Sequence, residues 1–398
     1  MAKRKTYLAE LNKALTLTFS PWRDNNRFKL LINAEVFFPA MLEAIENAKH
    51  SVLLEMYLFE PGFVADQFID QLTAAARRGV KVYLLLDDYG CRALKQVDRN
   101  RFIQKNIQIH YYNPIRYAGV RRNLFRDHRK LLLVDLHTAF VGGAGITDEF
   151  QTFDSGKPGW RETMVEMQGE CVADWVETFR QVWQLYGKLD LPKLEAAPDK
   201  NTDLLGRKIS LHPHASGRVV CALGSGRQSI KSSVQIRIRH SKKRCWIATA
   251  YFVPSFKIRV ALKKAAMRGV DVRLLLPGPI SDHPGIRFAA RRFYFRMLSS
   301  GVKIYEYQPR FMHQKVLMCD DWVSIGSSNI DRWNFRWNLD ANQEIKETDF
   351  LQSVTNMFEV DFRHSKQFSL EEWNNRSLYR RLQEIYWGIV DWVIDRIR

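Results

Sequence analysis

Cysteine is scarce and unpatterned. The five present (Cys91, Cys171, Cys221, Cys245 and Cys319) are odd in number and include no C-x-x-C pair. That argues against a disulfide framework and against a zinc site, and it fits a reducing compartment. No run approaches the roughly 20 apolar residues needed to span a bilayer. The opening stretch MAKRKTYLAELNKALTLTFSPW is basic, but its apolar part is short and interrupted by polar residues, unlike a secretory signal. Membrane contact is therefore expected to be peripheral. Acidic residues are outnumbered, 43 against 61 basic ones, for a net charge of +18. Such an excess implies a polyanionic partner: nucleic acid, an anionic lipid surface or a phosphate-bearing substrate. The hydrophobic share, 46% of 398 residues, is ample for a sizeable core.

The chain repeats itself. AARRGVKVYLLL at 75–86 returns as AAMRGVDVRLLL at 265–276, NIQIHYYNP at 106–114 as GVKIYEYQP at 301–309, and SVLLEMYLFEP at 51–61 as RCWIATAYFVP at 244–254. Ahead of the first pair, Phe68, Leu72 and Ala76 recur at helical spacing, as do Ile258, Leu262 and Ala266. Gly79 and Gly269 then stand where a helix end favours positive φ. Strands alternating with helices predict an α/β fold of two similar lobes. Each lobe is expected to hold a mixed, mainly parallel sheet flanked by helices, the two related by a pseudo-twofold axis with one shared active site. The expected division is an N-terminal extension (1–25), a first lobe (26–187), a polar linker (188–212), a second lobe (213–376) and a C-terminal amphipathic helix (377–398).

Each half carries one further copy of a pattern, DHRKLLLVD at 127–135 and MHQKVLMCD at 312–320. On a strand, residues two apart share a face. His128 therefore points with Lys130 and His313 with Lys315, while Asp135 and Asp320 turn away and support the scaffold. A His beside a Lys, without Cys or clustered carboxylates, is poor metal chemistry, and no metal or cofactor is expected. It suits phosphate: the ammonium neutralises phosphoryl oxygens, and the imidazole attacks phosphorus or protonates a leaving oxygen. Two imidazoles in one pocket can divide those tasks.

These paired motifs resemble those of the phospholipase D superfamily. From about residue 26 to 365 the chain is similar to bacterial cardiolipin synthases of the short type without N-terminal transmembrane helices. Gly326, Ser327 and Asn329 match a G-S-x-N element, Asn342 and Glu344 an N-x-E element, and Trp160-Arg161-Glu162-Thr163 a W-R-D-T segment with Glu in place of Asp. The resemblance implies a phosphatidyl group carried on a histidine, with His128 as nucleophile, His313 as general acid and Lys130 and Lys315 on the phosphoryl oxygens. Asn329 is the expected amide donor, and Glu162 and Glu344 the carboxylates that fix the imidazoles, in an order left open. Ser327, Gly142 and Gly143 are placed at the phosphate. Gly145 stands where the counterpart of Asn329 is usual. With Glu162, that departure keeps a catalytically inactive lipid-binding protein as an alternative to a cardiolipin synthase-like transferase. A phospholipase D or nuclease using water is the other.

Basic residues cluster in RYAGVRRNLFRDHRK at 116–130, including Arg121 and Arg122, and in IRFAARRFYFRML at 286–298, including Arg291 and Arg292. Both are expected to meet anionic headgroups. The last stretch places Leu378, Leu382, Ile385, Ile389, Val393 and Ile397 on one helical stripe, expected to lie in a membrane interface. Anionic phospholipids at the cytoplasmic face of the bacterial inner membrane are the expected partner, with no obligatory nucleic acid.

Overall fold

Runs rich in Leu, Val and Ile bury both faces when helices cover them, and such runs form the centres of two sheets here. A computed structural model describes residues 19–103, 105–116, 122–153, 156–186, 215–223 and 228–396, with Tyr186, Arg380 and 391–396 as backbone alone. The linker stretch 188–212 and Arg121 lie outside the described residues. The first half contributes β1 (Asn26–Ile32), β2 (Ser51–Met56), β3 (Lys81–Asp87), β4 (Ile107–Tyr112), β5 (Arg126–Asp127), β6 (Lys130–Val134), β7 (Thr138–Gly142) and β8 (Thr163–Gly169). The second contributes β9 (Ser216–Leu223), β10 (Arg244–Thr249), β11 (Phe252–Val253), β12 (Asp271–Pro277), β13 (Lys303–Tyr307), β14 (Lys315–Cys319), β15 (Trp322–Gly326), β16 (Ile330–Asp331), β17 (Asn338–Lys346) and β18 (Ser365–Phe368).

One sheet runs β1-β8-β7-β6-β2-β3-β4. The other runs β18-β13-β12-β10-β14-β15-β17-β5, with β9 paired to β17. The sheets are mixed, as expected, but the balance of directions differs from the sequence reading. In the first sheet only β2–β3 and β3–β4 are parallel, while β2–β6, β6–β7, β7–β8 and β1–β8 are antiparallel. The second repeats this, with β10–β12 and β12–β13 parallel and β10–β14, β14–β15 and β15–β17 antiparallel. The reason is local. Each His-Lys strand turns back through a tight hairpin, and such a turn joins only antiparallel neighbours.

Alternation along the strands sorts the core. Leu53, Tyr83, Leu85, Leu131 and Leu133 face the second half, where Trp246, Ala248, Val316, Met318 and Ile325 meet them in one shared cluster. The Cys171–Tyr186 helix enters that cluster with Trp175, Phe179 and Trp183, and the Thr348–Arg363 helix with Phe350, Val354 and Phe358. The opposite strand faces pack under outer helices. Val52, Leu54 and Leu132 lie against Ala34–Glu46 and Phe63–Arg77. Ile247 and Leu317 lie against Ser229–His240 and Phe256–Met267. Gly79 and Gly269 end the repeated helices at φ +99° and +88°, a region costly for a side chain.

Exchange of backbone joins the halves. β5 leaves the first half to pair with β17. Phe19 and Arg23, in the stretch expected as an extension, bridge to Val220 and Gly217 of β9. The cores are therefore continuous across the duplication.

Candidate active site

His128 stands between β5, in the second sheet, and β6, in the first. Its N–H donates to Leu339 O at 2.9 Å. The pattern recurs at His313, just ahead of β14, whose N–H donates to Arg161 O at 2.8 Å while Arg161 N–H donates to Phe311 O at 2.8 Å. Each histidine is thus threaded onto the backbone of the opposite half. Side chains complete the exchange. His128 Nδ1 lies 3.0 Å from Asp340 Oδ1, and His313 Nδ1 lies 2.6 Å from Glu162 Oε2. Glu162 also accepts from Thr163 N–H at 2.9 Å. A carboxylate on Nδ1 fixes the ring and leaves Nε2 for chemistry.

The lysines follow the parity of the motif. Lys130 Nζ donates to His128 O at 2.6 Å and lies 4.8 Å from the Tyr57 ring centre. Lys315 Nζ is 2.9 Å from His313 Nδ1, 3.0 Å from its Nε2 and 3.5 Å from Glu162. Trp160, Phe150 and Phe311 surround His313, and Tyr57 meets His128 edge-on at 4.8 Å. Burial in these apolar walls disfavours charge. It lowers His128 to about 4, with Lys130 adding to the effect. It also takes His313 well below its ordinary value, assisted by Lys315. Burial, then Lys315, brings Lys130 down to about 7. Burial raises Glu162 to about 7 against the pull of Lys315. Both imidazoles are therefore neutral near pH 7.

His128, Lys130, His313 and Asn329 line one cleft of about 850 Å³, together with Tyr57, Trp160, Tyr251, Asp282 and Arg332. Asn329 Oδ1 sits 3.5 Å from the Thr249 hydroxyl. Gly143 and Gly145 also reach the cleft, while Gly142 does not line it. A Cβ on Gly143 would come within 2.2 Å of the Glu162 carboxylate, and one on Gly145 within 2.8 Å of Leu58 Cβ. Close approach, not backbone conformation, requires glycine at both. Asp135 accepts from the N–H groups of Lys49, His50 and Ser51 at 2.9, 2.7 and 2.8 Å. Asp320 does the same for Lys242, Lys243 and Arg244 at 2.8, 2.9 and 3.0 Å. Both motif aspartates therefore tie a hairpin to the start of a neighbouring strand, away from the cleft.

Several expected site residues are placed elsewhere. Glu344 pairs with Arg218 at 2.7 Å and with the Ser233 hydroxyl, not with an imidazole. Asp340 takes that position, and the sequence reading missed it. The repeat offered a signal: Gly142 pairs opposite Met164 and Gly326 opposite Asn342. The residue two before each partner is Glu162 in one half and Asp340 in the other. Ser327 lies off the cleft wall and donates to Asp340 Oδ1 at 2.7 Å, whereas the longer Glu162 leaves no room for a side chain at Gly143. Arg291 is buried against Glu306 at 2.9 and 3.1 Å, and Arg292 donates to Gly388 O at 2.7 Å. Arg122 donates to Asn113 at 3.0 Å. Arg291 serves internal packing, because a guanidinium flanked by acceptors loses less on burial than one left unpaired, whereas Arg122 and Arg292 stay half-buried. Among the described residues, no group of three or more His, Cys, Asp or Glu could hold a metal ion.

Two imidazole–ammonium pairs, each completed by a carboxylate of the other half, define a duplicated site built for phosphoryl chemistry, with His128, Lys130 and His313 on the cleft wall and Lys315 fully buried behind His313. Residues 41–183 and 234–362 match the family described as "Cardiolipin synthase, PLD-like domain". The chain is 31% identical over 379 residues to cardiolipin synthase A of Pseudomonas aeruginosa, covering 94% of this chain and 74% of that one. It is 30% identical over 381 residues to cardiolipin synthase 1 of Bacillus anthracis, covering 93% and 73%. In fold it is similar to the crystal structure of phosphatidylserine synthase of Haemophilus influenzae, with a TM-score of 0.70 at 15% identity over 98% and 99% of the two chains. The chain belongs to the cardiolipin synthase, PLD-like family.

Proposed function

We propose that this protein is a phosphatidyltransferase that makes cardiolipin from two molecules of phosphatidylglycerol through a phosphohistidine. His128 Nε2 attacks phosphorus. As the N–P bond forms, the P–O bond to the departing glycerol breaks, and that oxygen takes the Nε2 proton of a neutral His313, whose Nδ1 takes in turn the proton held by the Glu162 carboxyl, raised to about 7. In the second half-reaction, the free hydroxyl of another phosphatidylglycerol gives its proton back to His313 Nε2. Its oxygen bonds phosphorus as the N–P bond breaks. Lys130 and Lys315 hold the phosphoryl oxygens, Asn329 supplies an amide, Asp340 keeps His128 in the tautomer that frees Nε2, and Glu162 holds His313 with its proton on Nε2. The observation that carries this reading is the crossed clamping of two neutral imidazoles at one cleft. A neutral imidazole is the nucleophilic form.

Phosphorus-labelled phosphatidylglycerol, quenched during turnover, tests it. Label is expected on His128 and absent from a His128→Asn variant, and label on neither histidine would sink the scheme. Mass spectrometry of the products separates the acceptors, because phosphatidic acid without cardiolipin would assign that part to water.

The site of action we propose is the cytoplasmic face of the bacterial inner membrane, reached peripherally. No helix among the described residues is long and apolar enough to cross a bilayer. The C-terminal helix, Leu378–Arg396, docks through Trp387 against Gly285 and through Glu384 onto Arg376. Its other face leaves Leu378, Leu382, Ile385 and Ile389 exposed by 74, 65, 59 and 56%. Val393 and Ile397, expected on the same stripe, lie outside the described side chains. The docked helix packs on Pro284–Arg291, whose Ile286 lines the cleft, so an apolar face lies beside the mouth. Replacing Leu382 and Ile389 by Glu is expected to weaken binding to anionic vesicles by about 100-fold, from ~1.5 kcal/mol or more per buried side chain. Unchanged vesicle sedimentation would remove this helix from the membrane contact.

A further inference from the structure

Asp282 lies between β12 and the Pro284–Arg291 helix, on the second-half wall of the cleft. The Tyr251 hydroxyl donates to its Oδ2. Its Oδ1 is buried and has no hydrogen-bond partner among the described residues. The other carboxylates nearby are committed. Asp340 and Glu162 hold the imidazoles. Asp331 accepts from Asn334 N–H at 2.7 Å. Asp87 accepts from the N–H groups of Tyr89, Gly90 and Asp127. Asp340 Oδ2 is also without a partner, but that residue is fully buried and does not line the cleft. Asp282 is close enough to the chemistry for its charge to raise the proton affinity of His313 and Lys315. At the end of the corresponding first-half strand the acid is Asp87, turned inward. Among the described residues, an unpartnered carboxylate oxygen at this position therefore belongs to the second half.

A buried carboxylate oxygen beside the reacting phosphate requires a donor. None of the described residues supplies it, and on the cleft side water or substrate can. A hydroxyl brings one donor and meets one free oxygen, whereas an ammonium brings three and leaves two unsatisfied. The cleft wall also carries Arg126, Lys130, Arg332 and Arg336 against Asp282 and Asp331, which disfavours a cationic headgroup. From this geometry we infer that Asp282 is the acceptor subsite for a hydroxyl of a polyol headgroup, reading the glycerol end of the lipid beside the phosphate under attack. The inference rests on the phosphatidyltransferase reading and names what that site selects. His283 Nε2, 3.9 Å from Asp282 Oδ2, stands at the mouth of the same wall.

The test compares kcat/KM for phosphatidylglycerol, phosphatidylethanol and phosphatidylethanolamine in mixed micelles. Phosphatidylethanol keeps the phosphodiester and lacks any headgroup hydroxyl. The wild-type protein is expected to prefer phosphatidylglycerol over phosphatidylethanol by about 10- to 100-fold, the range for a hydrogen bond to a charged group. Asp282→Ala brings that ratio to about 1. The isosteric Asp282→Asn narrows it severalfold and keeps the fold, as a melting curve beside wild type verifies. A ratio unchanged in both folded variants would overturn the inference. So would a wild-type preference for phosphatidylethanolamine that Asp282→Ala removes, since the subsite would then serve an ammonium. Turnover of none of the three lipids by wild type would overturn the transferase reading itself, and the inference with it.

Discussion

Asp340 and Glu344 stand on the same face of β17, yet only Asp340 meets an imidazole. At ~3.3 Å per residue their side chains are separated by about 13 Å, too far for one to replace the other. Asp340→Asn is expected to lower kcat by about 10²- to 10⁴-fold, as when an imidazole loses its orienting carboxylate. Glu344→Gln should leave kcat near wild type once stability is allowed for. Steady-state kinetics on the two variants decide which carboxylate orients His128, and the reverse outcome would restore the sequence-based assignment. Protonation makes a second prediction. Lys130, brought down to about 7 by burial, loses its charge as pH rises through neutrality. The nucleophilic imidazole, at about 4, is already neutral well below that. On these shifts kcat/KM should rise through pH 4 and fall through pH 7. A bound phosphate favours the ammonium, so the basic limb of kcat should lie at higher pH than that of kcat/KM. Coincident basic limbs would remove Lys130 from the phosphate contact.

The two motif hairpins show how the same element carries different weight in the two halves. Asp135 and Asp320 both hold φ near +50°, which Asp tolerates better than most residues, and both gather three N–H groups at the start of a strand. Asp135 is nearly fully buried, whereas two of the three bonds to Asp320 are exposed to solvent. Orphaning buried donors costs more than orphaning wet ones. Asp135→Ala is therefore expected to cost about 3 kcal/mol and Asp320→Ala about 1 kcal/mol, measured by chemical denaturation. Equal losses would contradict this account. The strands around these hairpins were legible because their apolar runs and closing prolines repeat in sequence. The His-x-Lys pairs were legible because a two-residue spacing places both side chains on one face. The antiparallel majority was not legible, since strand direction is decided by which neighbour a hairpin selects. Arg291 was misread for a related reason. A basic, aromatic-rich helix looks alike whether its guanidinium groups face lipid or Glu306 on a strand contributed from farther along the chain.

At the scale of the molecule, the halves are joined by a buried ion pair close to the site. Arg161 makes a two-pronged contact with Asp361 at 3.0 Å and donates to Asn33 at 2.9 Å, one residue before the glutamate that holds His313. Removing one member of a buried pair leaves the other uncompensated. Arg161→Ala is expected to destabilise the protein by about 3–5 kcal/mol and to lower kcat even at temperatures where the variant is folded. A stability loss with kcat intact would separate the pair from the site. Such cross-half contacts, like β5 on β17, link residues far apart in sequence, and no local period announces them.

The crossed clamps also make the site indivisible. Because Asp340 steadies the ring of His128 while Glu162 steadies that of His313, any slippage of one half against the other releases both rings together. Loosening of that kind would give no weakened enzyme holding one competent histidine, only a switch between a working centre and none.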